Sequence, residues 1–168
     1  GDYPAILATI RMLVELAENT AGCFGSPVGL GIPGSVSGVT GRVKNSNSLC
    51  LNGQNLPADL SSVLNRNVTV TNDANCLALS EATDGAGQGA GVVFAAILGT
   101  GCGSGISVDG RLLSGPNGVA GEWGHNPLPW TPQHELDQRL CFCGQVGCNE
   151  TFLSGTGMAL THKLLWNE

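Results

Sequence analysis

One histidine and three cysteines in the last third of the chain could bind a metal ion. His125, Cys141, Cys143 and Cys148 would supply one imidazole nitrogen and three thiolates, a complete ligand set for tetrahedral zinc. Two glycines within the segment Cys-x-Cys-Gly-x-x-Gly-Cys allow the tight turn that such a site needs. A closed four-ligand site leaves no position for water, so this zinc would stabilise structure and would not react. Unrelated buried thiols or a disulfide remain the alternatives.

Two carboxylates flank these ligands. Glu122 lies three residues before His125, and Glu150 lies two residues after Cys148. A single metal ion bound by the four ligands would therefore bring both acidic side chains to one place.

A glycine-rich segment could bind phosphate. Residues 99–105 follow the apolar run Val92–Leu98 and alternate glycine with other residues. Backbone N–H groups in such a segment can approach a phosphate, and Thr100 adds a hydroxyl donor. The Gly-Lys-Ser/Thr ending of a Walker A motif is absent. A tight hairpin explains the same residues equally well, so both interpretations stay open.

Asp73 could act as a base. It follows the predicted strand Val68–Val70, and a carboxylate at the carboxyl end of a parallel strand faces the crevice where α/β proteins bind ligands. There it could accept the proton of a substrate hydroxyl during phosphoryl transfer. The alternative is that Asp73 only caps the following helix.

Three asparagines lie in a polar loop after the second predicted strand. The amides of Asn45, Asn47 and Asn52 each offer donors and an acceptor that suit sugar hydroxyls. Ordinary turn formation explains asparagines in a loop equally well.

Composition excludes some partner classes. The net charge is −6 and no cluster of lysine or arginine occurs, so binding to nucleic acid is not expected. The longest apolar run, Val92–Leu98, is too short to cross a membrane. An odd count of seven cysteines, without a signal-peptide pattern, favours a reducing compartment. We therefore expect a soluble cytoplasmic protein.

The first half of the chain alternates predicted strands and helices. The predicted elements are a helix from Ile6 to Ala17 that stops at Gly22, a strand Val28–Ile32, a weaker strand Val39–Lys44, a helix Ala58–Leu64, a strand Val68–Val70 and a helix from Asn72 to about Glu81. This order predicts an α/β sheet with right-handed crossovers.

The second half is predicted to begin after a flexible stretch, residues 84–91. The run Val92–Leu98 predicts a strand buried on both faces, because it is apolar throughout. Ile106–Val108 and Arg111–Leu113 flank Asp109-Gly110, a typical two-residue hairpin turn. A last helix is expected from Ser154 to Leu164. The predicted division is one domain over residues 1–90 and another over residues 91–168.

Five motifs, in this order, carry a resemblance to a known family. They are Gly31-Ile-Pro-Gly34, Asn72-Asp-Ala-Asn75, Leu98-Gly-Thr-Gly101, Gly121-Glu-Trp-Gly-His125 and Cys141-x-Cys-Gly-x-x-Gly-Cys148-x-Glu150. Together they resemble the ROK family of sugar kinases and repressors. The resemblance implies the actin/hexokinase-like ATPase fold, a ribonuclease H-like α/β fold. Residues 43–48 and 124–130 look most like the bacterial fructokinase (manno-fructokinase) subgroup.

The resemblance also implies a role for each site residue. Asp73 would take the proton of the attacking sugar hydroxyl, and His125 would bind zinc through one ring nitrogen and the sugar through the other. The remaining sugar hydroxyls would be bound by Asn47, Asn72, Glu122 and Glu150. The ATP phosphates, neutralised by Mg²⁺, would be approached by Thr100, Gly101 and Gly103.

The resemblance implies further that the chain is a central fragment. Kinases of this family open with an Asp-x-Gly-Gly-Thr-Lys phosphate hairpin, which the small domain, residues 1–90, would lack. Residues 91–168 would be the first part of the large domain with the zinc-binding loop, so the ATP site would be incomplete. Members of the family are commonly dimers, which adds a homodimer to the expected partners, hexose and ATP.

The expected activity is ATP-dependent phosphorylation of a hexose, with fructose to fructose 6-phosphate as the main prediction. The alternatives are an N-acetylglucosamine or other hexose kinase, and a sugar-sensing repressor of the same family. Leu49-Cys50 stands where relatives often carry an aromatic residue beside the sugar loop.

Overall fold

The computed structural model describes residues 2–166, which separate into two compact units. The first contains residues up to Asp73 together with Pro116–Gly118, and the second contains Ala74–Gly115 and the residues from Val119 onward. The division predicted at residue 90 falls inside the second unit, between a helix and a strand, and it stays a prediction.

Among its described residues, the first unit contains two α-helices and four strands. They are α1 (Tyr3–Ala21), β1 (Val28–Ile32), β2 (Ser35–Val36), β3 (Val43–Lys44), α2 (Leu56–Leu64) and β4 (Val68–Asn72). Helix α1 has a proline in its first turn and ends at Gly22, whose φ of 64° is left-handed, so the predicted stop is confirmed. Strands β1 and β4 pair in parallel, with Val28 opposite Val68 and Ile32 opposite Asn72.

The weaker strand predicted over Val39–Lys44 is shorter than expected. Only Val43 and Lys44 form β3, which pairs antiparallel with β2. The hydroxyl of Ser37 accepts hydrogen bonds from the amides of Val39 and Thr40, both at 3.3 Å, and this bends the chain into a turn.

The core of the first unit lies between its helices and its parallel strands. Leu56 and Leu60 of α2 are 1% and 0% exposed. They pack with Ile32, Val43, Leu51 and Val68.

The second unit contains a three-stranded sheet and four helices. They are α3 (Asp73–Thr83, whose first residue belongs to the first unit), β5 (Val92–Leu98), β6 (Cys102–Val108), β7 (Arg111–Leu112), α4 (Gln133–Leu136), α5 (Glu150–Leu153) and α6 (Gly155–Trp166). The sheet order is β5-β6-β7, antiparallel throughout. Asp109 and Gly110 turn the chain between β6 and β7 with φ of 48° and 72°, so the predicted hairpin is confirmed.

Two predictions about β5 and β6 are wrong. Strand β5 is not buried on both faces, because Val92, Phe94 and Leu98 on one face are 65%, 51% and 59% exposed. Strand β6 begins at Cys102, four residues before the predicted start at Ile106, because the glycine-rich residues pair with β5. In the part of the chain that the structure describes, no helix is both long enough and apolar enough to cross a membrane.

Candidate metal centre and neighbouring site residues

The four predicted zinc ligands lie together. The ligand atoms of His125, Cys141, Cys143 and Cys148 are all within 4.8 Å of one another. Nδ1 of His125 lies 3.5 Å from Sγ of Cys141, and Sγ of Cys143 lies 3.6 Å from Sγ of Cys148. Tetrahedral zinc places a nitrogen and a sulfur about 3.6 Å apart and two sulfurs about 3.8 Å apart, from bond lengths of about 2.0 and 2.3 Å. The four residues therefore fit a zinc ion, and the three cysteines are free thiols in this structure.

The loop that carries the three cysteines is shaped by its own backbone. The amide of Cys141 donates to the carbonyl of Gln145 at 2.8 Å, and the amide of Gly144 donates back to the carbonyl of Cys141 at 2.9 Å. Gly144 and Gly147 have φ of 88° and 77°, as the sequence predicted for this turn. This segment thus reaches the ligand geometry through turns that only glycine adopts easily.

His125 reaches the cluster from a short 3₁₀ turn, Trp123–His125. Gly124 in this turn lies so close to β6 that a Cβ atom there would overlap the carbonyl oxygen of Cys102. The rings of Phe142 and His125 are nearly perpendicular, with centroids 5.0 Å apart. Since Nδ1 faces Cys141, Nε2 is the ring nitrogen left for another partner.

The thiols of the cluster differ in their protonation. Burial raises the pKa of Cys148 to about 12 and also raises the pKa of Cys141. The pKa of Cys143 is lowered, chiefly by a hydrogen bond from the backbone of Gln145. Without a metal, Cys141 and Cys148 are therefore thiols at neutral pH, and a zinc ion must displace their protons.

Glu150 lies at the start of α5, and one of its carboxylate oxygens is engaged by the protein. Oε2 accepts a hydrogen bond from the amide of Cys102 at 2.8 Å. A Cβ atom at Gly101 would lie 2.8 Å from the same oxygen, so only glycine fits there without a shift. Burial, followed by the Glu150 charge, raises the pKa of the Cys102 thiol.

The β5–β6 hairpin is held by the start of α6. The carbonyl of Gly99 accepts from the amide of Gly155 at 2.7 Å, and the carbonyl of Thr100 accepts from the hydroxyl of Thr156 at 3.1 Å. In a trans peptide the C=O and N–H groups point in opposite directions. The amides of Thr100 and Gly101 therefore point away from α6.

The other predicted residues of the second unit have different surroundings. Gly103 lies within β6 opposite Ile97, and its carbonyl accepts from Nε1 of Trp123 at 2.9 Å. Glu122 is exposed and immediately precedes the 3₁₀ turn that carries His125.

Three predicted residues lie in the first unit. Asp73 is exposed at the end of β4 and begins α3. The side-chain amide of Asn72 donates to the carbonyl of Gly34 at 3.0 Å. Asn47 is exposed in the loop after β3. The assignment of Asn47, Asn72 and Asp73 to a sugar site stays a prediction, as it does for the residues of the second unit.

The structure shows one residue, Arg139, whose role the sequence analysis missed, and another, Asn52, for which it left two interpretations open. Arg139 is only 4% exposed, and its guanidinium donates to the carbonyl oxygens of Thr151 and Gly157 and to the hydroxyl of Thr161. Asn52, considered as a sugar ligand, instead bonds the backbone of Ser46. Neither contact has a local sequence signal, because each partner lies several residues or more away.

Comparisons with known proteins agree with the family resemblance that the sequence motifs carry. The sequence profile of the ROK family matches residues 2–164. The N-acetylgalactosamine kinase AgaK of Shewanella sp. (strain ANA-3) is 43% identical over 164 residues, which cover 96% of this chain and 53% of that protein. The N-acetyl-D-glucosamine kinase of Photobacterium profundum is 42% identical, over 99% of this chain and 56% of that protein.

Solved structures agree as well. The ROK hexokinase of Thermus thermophilus superposes with a TM-score of 0.83 at 29% identity, covering 100% of this chain and 54% of that one. The chain thus spans about half the length of the curated relatives it matches.

Proposed function

This chain belongs to the ROK family, and from that premise we propose that the whole protein is an ATP-dependent sugar kinase. The mixed α/β fold matches the ROK hexokinase structure, which confirms the predicted actin/hexokinase-like class. The observation that carries the proposal is the position of Asp73, an exposed carboxylate at the carboxyl end of the parallel strand β4. Ligands of α/β sheets bind at such strand ends.

The proposed chemistry is in-line transfer of the γ-phosphoryl group of ATP to a sugar hydroxyl. Asp73 accepts the hydroxyl proton, a step that contributes about 10²–10⁴ in rate when the base is well placed. Its neighbour Asn72 is held by the carbonyl of Gly34, which fixes the end of β4 beside the base. Asn47 and Asn72, both in the first unit, bind sugar hydroxyls in this proposal.

The zinc cluster has a structural role in this proposal. His125, Cys141, Cys143 and Cys148 would hold the zinc ion, and with four protein ligands it would offer no open position for a reactant. Because Nδ1 of His125 faces Cys141, a bound zinc would take Nδ1, and Nε2–H would then be the donor to a sugar hydroxyl. Glu122 and Glu150 are the acceptors in the same unit, Glu150 through the oxygen that Cys102 does not bind.

The β5–β6 hairpin is the proposed phosphate contact. The amides of Thr100 and Gly101 point away from α6, so they are oriented to donate to an outside anion. Mg²⁺ bound with ATP neutralises the remaining phosphate charge. The chain's net charge of −6 makes backbone donors and a cation the natural partners of ATP.

The comparisons favour the alternative sugar class, an N-acetylated hexose, over the main prediction of fructose. Fructose was the main expectation, but the relatives reported above are an N-acetylgalactosamine kinase and an N-acetyl-D-glucosamine kinase. We therefore propose an N-acetylated hexosamine as the most favoured sugar substrate. Fructose is the second candidate, because residues 43–48 and 124–130 resemble the fructokinase subgroup.

The test is an ADP-release assay on the whole protein with N-acetylglucosamine, N-acetylgalactosamine, fructose, glucose and mannose. The proposal expects Mg²⁺-dependent turnover, with the highest kcat/KM for an N-acetylated sugar. Highest kcat/KM for fructose would restore the second candidate. Sugar binding without any turnover would favour the repressor, since a pure sensor needs no base.

A further inference from the structure

The side chain of Asn52 forms hydrogen bonds across the loop over residues 44–52. Oδ1 of Asn52 accepts from the amide of Ser46 at 2.8 Å, and Nδ2 of Asn52 donates to the carbonyl of Ser46 at 3.0 Å. One amide therefore satisfies both backbone groups of a residue that is only 4% exposed.

The two ends of this loop are also joined. The amide of Gly53 donates to the carbonyl of Val43 at 2.8 Å, and the amide of Val43 donates to the carbonyl of Gln54 at 2.9 Å. Inside the loop, the amide of Ser48 donates to the hydroxyl of Ser46 at 3.1 Å. The loop is thus a closed ring, with Ser46 at its buried centre and Asn47 exposed on its outside.

Ser46, at the buried centre of the ring, lies against Gly34, the residue that the Asn72 side chain contacts. A Cβ atom at Gly34 would lie 2.8 Å from the Cα atom of Ser46, so these two backbones are in close contact. The carbonyl of Gly34 accepts from the side chain of Asn72, the residue before Asp73. A displacement of Ser46 therefore acts on Asn47 directly and on Asn72 through Gly34.

We propose that Asn52 is a positioning residue for sugar binding: it holds Ser46 against Gly34 and thereby fixes Asn47 and Asn72. This inference rests on the proposed function, because Asn47 and Asn72 are sugar ligands only there. In this proposal Asn52 acts through Ser46, because Oδ1 and Nδ2 of its side chain each bond the Ser46 backbone.

The kinetic consequence follows from which interactions are lost. Asn47 and Asn72 would bind hydroxyls that do not react, so they hold the ground state and the transition state alike. Loss of such uniform binding raises KM and leaves kcat unchanged. We expect Asn52→Ala and Asn52→Asp to raise the sugar KM roughly tenfold, with kcat and the KM for ATP within about twofold of wild type.

The two substitutions probe the bonds differently. Asn52→Ala removes both bonds, whereas Asn52→Asp keeps an acceptor for the Ser46 amide and places a second oxygen against the Ser46 carbonyl. A matched control is Tyr3→Phe, which removes a different hydrogen bond of the first unit, from Oη of Tyr3 to Asp59 at 2.6 Å. All variants are compared by thermal unfolding and by hydrogen exchange at the Ser46 amide.

The inference predicts that both Asn52 variants raise the sugar KM and lose hydrogen-exchange protection at the Ser46 amide. Tyr3→Phe should show neither effect, even where it lowers the stability of the protein as much as the Asn52 variants do. If Tyr3→Phe raises the sugar KM as much, the effect is general destabilisation and the inference is overturned. If the wild type is active and the sugar KM is unchanged in both Asn52 variants, the inference about Asn52 is overturned and the proposed function stands. A wild type that phosphorylates no sugar overturns the proposed function as well.

Discussion

The carboxylate of Glu150 accepts a hydrogen bond from the amide of Cys102 over 2.8 Å. Glu150 comes two residues after the zinc-ligand candidate Cys148, and Cys102 begins β6, directly after the turn (residues 99–101) of the proposed phosphate hairpin. One side chain therefore joins the metal loop to the hairpin within the second unit. Glu150 was expected only as a sugar ligand, and the structure gives it this structural contact in addition.

Replacing Glu150 by alanine should lower the stability of the protein more than replacing it by glutamine. Glu150→Ala leaves the buried Cys102 amide without its acceptor, which costs about 1–3 kcal/mol of unfolding free energy. Glu150→Gln keeps a neutral acceptor and should cost less than about 1 kcal/mol. Urea unfolding followed by tryptophan fluorescence measures this, because Trp123, Trp130 and Trp166 all lie in the second unit. The control Glu122→Ala, at an exposed carboxylate, should change little; equal stability of Glu150→Ala and wild type would refute the contact.

Zinc content should depend on Cys143 and not on Cys50. Cys143 is exposed, so Cys143→Ser removes a ligand without disturbing the core. We expect about one zinc per chain in wild type and loss of most of it in Cys143→Ser, measured by plasma mass spectrometry. Cys50→Ser is the matched control, because Cys50 lies outside the cluster. Equal zinc in both variants would remove Cys143 from the ligand set.

Zinc binding should release protons at neutral pH. Because the pKa of Cys148 is about 12 and that of Cys141 is also raised, both are protonated at pH 7 in the metal-free protein. Zinc binds thiolates, so its uptake should release roughly two to three protons, and its affinity should rise with pH. Calorimetry in two buffers of different ionisation enthalpy counts these protons. A binding heat independent of the buffer would contradict the thiolate ligands.

Replacing Arg139, even by lysine, should destabilise the protein. Its guanidinium donates to three acceptors and lies 4.3 Å from the centre of the Phe152 ring. A lysine ammonium cannot reach all of them or stack in the same way. We expect Arg139→Lys to lower the unfolding free energy by about 2–4 kcal/mol. The control Arg111→Lys, at an exposed arginine of β7, should stay within about 0.5 kcal/mol; a similar loss in both would show that Arg139 has no special role.

The metal cluster was predictable from sequence because its geometry is local. Cys141, Cys143 and Cys148 lie within eight residues, and the glycines between them fix the turn. The bounds of β1 and β5 were predictable for a similar reason, since short apolar runs ended by Pro-Gly or glycine mark strands.

The remaining features depend on contacts between distant residues. The start of β6 was missed because glycines and serines have low strand propensity, and pairing with β5 overrides it. The exposed face of β5 cannot be inferred from a run that is apolar throughout. The role of Asn52 was ambiguous because the same amide suits a sugar or a turn, and only its distances to Ser46 decide.

The most direct test of the proposed function is the turnover of Asp73→Asn in the whole protein, with Asp84→Asn as the control at an exposed carboxylate just beyond α3. The proposed mechanism predicts that Asp73→Asn lowers kcat at least about 100-fold while sugar affinity and zinc content stay near wild type. Asp84→Asn should keep normal turnover. Near-normal turnover in Asp73→Asn would contradict the assignment of the base and with it the proposed mechanism.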